Sequence, residues 1–78
     1  MTLLAELQGV VADLVRGSRP ISDLRSWLED HVDEVMIAKN ARLTELDGLA
    51  WTLISELDRG DRDEASLRAE LGAVASLR

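Results

Sequence analysis

The stretch LDGLAWTLISELDRGDRDEASLRAEL, residues 46–71, sets the architecture of the chain. Leu46, Leu49, Ala50, Leu53, Ile54 and Leu57 recur at three- and four-residue steps, and Leu43 extends the series backwards, which is the spacing of one apolar helix face. Gly60 follows the last turn as a stop signal, and DRGDRDE reads as a short polar loop. Asp61 with Glu64 resembles a capping arrangement for a final helix that carries Leu67, Leu71 and Val74. The interior of the first helix holds Gly48 beside Trp51, and a mid-helix glycine costs about 1 kcal/mol relative to alanine. Thr44, Gly48, Thr52 and Ser55 form a strip of small residues with Trp51 along its border, so close approach by another helix is expected there. The occupant is either the first or last helix of the same chain, or a partner or second copy anchored on Trp51.

Upstream, Leu3, Leu4, Leu7, Val10, Val11, Leu14 and Val15 describe another broad apolar face that ends at Gly17. GSRP is a loop, because proline disfavours helical geometry at the residue before it. Ser22 is the expected N-cap of the next helix, with Asp23 in its first turn. That helix places Leu24, Trp27, Leu28, Val32, Val35 and Met36 on one side and Asp23, Glu29, Asp30, Asp33 and Glu34 on the other. The same register puts Ile37 among the acids, so an end or bend is expected near IAKNAR, with Asn40 in the turn; a single helix from 22 to 58 stays open because no glycine or proline enforces a break. The expected fold is all-α: one domain, 1–78, as a compact antiparallel bundle of about four helices at approximately 2–16, 22–38, 41–58 and 63–76.

With 78 residues and no cysteine, the fold must rest on apolar contacts, which fourteen leucines and two tryptophans supply. The net charge of −6 repels phosphate backbones and anionic headgroups, so neither nucleic acid nor membrane is an expected partner. No apolar run approaches the length of a membrane span, and MTLLAELQGVVADLVRG carries acids where a signal peptide needs a basic start, so the expected location is the cytoplasm. Eight arginines to one lysine, with abundant alanine, resemble a GC-rich, actinobacterial-type coding sequence.

The densest polar cluster is LEDHVDE, residues 28–34. Helical geometry puts His31 with Trp27 and Val35 at the edge of the apolar face while most of the acids point away, so a boundary histidine is expected rather than a metal ligand. His31 and Glu34 have ligand-like spacing, yet a carboxylate metal site in a bundle takes a histidine from each of two helices, which a single histidine supplies only across a dimer. There is no cysteine nucleophile, no second histidine and no glycine-rich phosphate loop. The expectation is a non-enzyme with no cofactor and no metal. Glu29, Asp30, Asp33 and Glu34 form a face that is either simply solvated or a docking surface for a basic protein.

The layout ISDLRSWLEDHVD, followed by LDGLAWTLISELDRGDRDEASLRAEL, resembles the small acidic helical bacterial proteins of the colicin D immunity-like type. The likeness covers about residues 20–72: a leucine-and-tryptophan helix, a helix of small residues with an acid near its end at Glu56, and a Gly60 turn before a helix from Glu64 to Leu71. It implies an acidic surface that neutralises a basic toxin domain, with the acids of the second helix as contacts. The expected function is therefore an interaction module of immunity or inhibitor type that binds a basic protein through Glu29, Asp30, Asp33 and Glu34, with Trp51 as an anchor. The alternative is a homo-oligomer, for example a homodimer, assembled through the Trp51 and Gly48 strip.

Overall fold

A computed structural model describes residues 2–76, and among these it contains helices and no strand. The helices are α1 (Leu3–Val15), α2 (Ile21–Asp30), α3 (Val32–Ala38), α4 (Ala41–Asp58) and α5 (Glu64–Ser76). α4 is the centre: it packs against each of the other four, while α1 also lies against α2 and α5. The Cα radius of gyration, 11.7 Å, matches the value of about 11.5 Å expected for a compact chain of this length. A single helix from 22 to 58 is thereby overturned, and so is a continuous helix over 22–38, which divides at His31.

Local chemistry accounts for most boundaries. Gly17 and Gly60 both adopt left-handed backbone, with φ of 79° and 81°, and each closes a Schellman motif. The amides of Gly17 and Ser18 donate to the carbonyls of Leu14 and Asp13, and those of Gly60 and Asp61 to Leu57 and Glu56. The Leu14 carbonyl also accepts from Arg68 Nε at 3.1 Å, which ties the end of α1 to α5. Thr2 caps α1 by accepting from the Ala5 amide.

Three capping expectations shift. Pro20, not Ser22, is the N-cap of α2, because its fixed φ of −76° supplies the extended entry and lets buried Ile21 join the first turn. Asp63, not Asp61, caps α5, accepting from the Ser66 amide at 2.8 Å, since Asp61 is consumed by the Gly60 turn. At the end of α3 the left-handed residue is Lys39, with φ of 50°, while Asn40 is extended and caps α4 by accepting from the Leu43 amide.

The core is aliphatic: Leu7, Val10, Val11 and Leu14 of α1; Ile21, Leu24 and Leu28 of α2; Val35 of α3; Leu43, Leu46, Ala50, Leu53 and Ile54 of α4; Leu67 and Leu71 of α5. Trp27, Leu49, Trp51 and Leu57 are partly buried around it. Val32 and Met36, expected on the buried side of the second helix, are exposed, because little more of short α3 than the Val35 edge reaches the core.

Gly48 does not receive a helix of its own chain. Its strip lies on the side of α4 opposite the leucines, Thr44, Gly48, Thr52 and Ser55 are all exposed, and no atom outside the helix backbone lies within 4 Å of where a Cβ would sit. Close approach is instead found at Gly72, where a Cβ would stand 3.3 Å from Val15 Cγ1 at the α1–α5 contact. With open space at position 48, Gly48→Ala is expected to stabilise the chain by about 1 kcal/mol in urea unfolding followed by circular dichroism, whereas a loss of stability would mean that the strip is covered.

Candidate partner-binding face

α2 and α3 meet at His31, whose backbone (φ −118°, ψ 15°) belongs to neither helix. Its amide donates to the Trp27 carbonyl at 3.1 Å and the Leu28 carbonyl at 3.4 Å, and its own carbonyl accepts from Val35 at 2.9 Å. The ring of His31 stacks on Trp27 with centroids 4.1 Å apart and planes 16° from parallel. Nδ1 lies 2.7 Å from the Trp27 carbonyl, so the proton belongs on Nδ1, and Nε2 lies 4.0 Å from Glu6 Oε1 on α1. The histidine is half-buried at the boundary of the core, as its position in the pattern implied. No group of three or more His, Asp or Glu side chains that could hold a metal ion occurs among the described residues.

Glu29, Asp30, Asp33 and Glu34 flank this junction and are all exposed. Trp51, the fifth expected contact, is half-buried on α4, where its ring packs against the core. Asp33 and Glu34 stand in the first turn of α3, where the helix dipole favours them. Glu29 and Asp30 stand in the last turn of α2, where the dipole opposes negative charge.

Among the described residues six arginines are engaged elsewhere, while Lys39 at the end of α3 and Arg42 in the first turn of α4 form no ion pair. Arg16 and Arg19 hold Asp13, and Arg19 also reaches Asp23; Arg59 holds Asp61, Arg62 holds Glu56, and Arg68 holds Glu64. Arg25 makes a bidentate bridge from α2 to Asp58 of α4, at 2.7 and 3.0 Å. This bridge raises the Arg25 pKa and holds that of Asp58 below the usual carboxylate range. Glu29 feels the charge of Arg25 only as a secondary neighbour. Among the described residues, the side chains of Asp30, Asp33 and Glu34 have no ion-pair or hydrogen-bond partner. The sequence could not show this, because the Arg25–Asp58 pairing joins residues far apart in the chain.

Apolar side chains share the face. On α3, Val32 and Met36 form one row and Asp33 and Ile37 the next, each pair one turn apart. Met36 is 72% exposed and Ile37 76%, against 5% for Val35 on the opposite edge. Glu34 borders Ile37 on the far side, so the acids enclose the apolar tip.

Asp47 of α4, which the sequence reading passed over, is a carboxylate whose environment is set by burial. Its Oδ1 is shielded from solvent without a hydrogen-bond partner, and burial pushes its pKa up. A carboxylate whose folded-state pKa lies above its unfolded value destabilises the fold when ionised, and the penalty is relieved as pH falls through the raised value. The shallow hollow at the α4–α5 turn, lined by Gly60, Asp61, Arg62, Asp63 and Ser66, has its arginine pinned by Glu56 and Ser66.

Compared with protein-family models, curated proteins and solved structures, the chain finds no match.

Asp47→Asn is expected to raise the urea midpoint at neutral pH, and the gain should shrink between about pH 7 and about pH 3 as the wild-type carboxyl is protonated. Asp58 weakens in acid in both proteins and cancels in the comparison. A gain independent of pH would show that burial of charge is not its source.

Proposed function

We propose that the chain is a non-enzymatic interaction module whose antiparallel helices present the acidic α2–α3 face to a basic protein. The observation that supports this reading is that, among the described residues, the side chains of Asp30, Asp33 and Glu34 have no counterion, while six arginines pair with acids elsewhere and only Lys39 and Arg42 stay unpaired. Glu29 and Asp30 add to it, since they occupy the end of α2 where a helix gains from cations. Uncompensated charge of one sign accelerates encounter with an oppositely charged partner and rejects others. The resemblance to colicin D immunity-like proteins supports the same role, with a cytoplasmic protein neutralising a basic toxin domain.

A second reading has its own observation. The Gly48 strip is open to solvent, and Trp51 lies one turn from Gly48 along α4, so a second copy could approach there and build a homo-oligomer. Light scattering on wild type and Gly48→Ala separates the two: the interaction-module reading requires the same mass for both, and an assembly packed on the strip requires a mass that falls in the variant.

For the leading reading, the protein is used to recover its partner from native cell extract, and association is followed by stopped flow. Replacing Asp30 and Glu34 together with glutamine is expected to slow association several-fold and flatten its salt dependence, with dissociation and the helical circular dichroism nearly unchanged. A partner whose on-rate ignores both substitutions contradicts the acidic-face reading.

A further inference from the structure

Large apolar side chains on the surface of a small acidic domain require an explanation that charge alone does not give. α3 exposes Val32, Met36 and Ile37 within six residues, while Val35 is its only buried residue. A helix of seven residues is marginal by itself, and each of these exposed positions could have been polar without loss of core. Methionine beside isoleucine makes an adaptable apolar contact surface. Asp33 stands between Met36 and Ile37 around the helix, Glu34 lies beyond Ile37, and Glu29 and Asp30 precede Val32 across the junction.

We infer that α3 is the anchor for an amphipathic cationic helix, a partner segment with large aliphatic side chains on one stripe and lysine or arginine on both borders. This rests on the acidic-face reading and specifies its occupant. The charge pattern selects among occupants. A second copy of the chain docking through α3 would bring Glu29, Asp30, Asp33 and Glu34 against their own copies with only Lys39 and Arg42 as unpaired cations nearby, an excess of like charge of the kind that costs several kcal/mol across an interface. An anionic lipid surface is repelled by the same acids. A cationic border relieves them. The helical form follows from the two parallel rows Val32–Met36 and Asp33–Ile37, whose four-residue step is a ridge that the groove of another helix accepts. Contact of this kind buries the methionine and isoleucine side chains at its centre while the carboxylates pair at the rim, an arrangement in which apolar anchors set residence time and rim charges set encounter.

The test uses a synthetic leucine–lysine peptide of about 18 residues, or five turns, with its leucines on one stripe. A second peptide has the same composition with the leucines scattered around the helix, and oligolysine of equal length completes the set. Binding to the full chain is measured by fluorescence anisotropy and mapped by amide chemical shifts. The striped peptide is expected to bind with shifts centred on residues 32–38 and about tenfold more tightly than the scattered one. Met36→Ser with Ile37→Ser should remove that advantage without altering the fold, since both side chains are exposed. Equal binding of all three peptides, unaffected by the serine variant, overturns the apolar anchor and leaves the acidic face standing. Striped-peptide binding that keeps its strength and salt dependence in Asp30→Gln with Glu34→Gln instead removes the acidic-face reading and this inference with it. A concentration-dependent dimer of the free chain that the serine pair abolishes, with no peptide bound, makes the occupant a second copy and also overturns the proposal.

Discussion

Burial of the apolar face of α4 is the interaction on which the rest of the molecule depends. Leu43, Leu46, Ala50, Leu53 and Ile54 line it from end to end, and α4 is the element that touches all four others. A fully buried leucine or isoleucine contributes about 1.5–3 kcal/mol relative to exposure, so this face dominates a fold with no disulfide to assist it. Among the described residues, α1 with four in the core, α2 with three and α5 with two are held against it or against each other. α3 brings one, Val35, and is the least anchored helix.

That imbalance connects packing to function. The elements with many buried side chains hold the ion pairs of the described residues, and one of these, Arg25 with Asp58, joins α2 to α4 just before the junction at His31. α3 itself carries no ion pair. The chain continues into a short helix whose acids lack counterions and whose two largest apolar side chains face outwards. Neither feature helps the isolated domain to fold: like charges in sequence repel, and exposed Met36 and Ile37 add no core. Both are accounted for if α3 is completed by something else.

Much of the fold was legible in the sequence because it is written locally. Three- and four-residue apolar steps located α1, α4 and α5 to within about two residues, and Gly17 and Gly60 marked the turns that require left-handed backbone. The division of residues 22–38 was not legible, because His31 is neither glycine nor proline and the break is secured by its stacking and hydrogen bonding on Trp27, a contact that helical spacing does not distinguish from continuation. Gly48 misled for a related reason. Its cost in helix propensity implied a neighbour, but the arrangement of helices places Gly72 at the tight contact and leaves Gly48 in the open. The acids of the candidate face were legible as a group, whereas their lack of partners was not, since it depends on where arginines distant in sequence are drawn by the fold.

α3 is a weakly anchored helix that presents an uncovered face. Native-state amide exchange followed by NMR, together with nuclear Overhauser contacts from the Met36 methyl, tests it in the free protein. Residues 35–38 should exchange through local opening, well below the protection of α4, with the Met36 methyl in contact with α3 alone. Protection of α3 equal to global unfolding, with the Met36 methyl against core leucines, would contradict it.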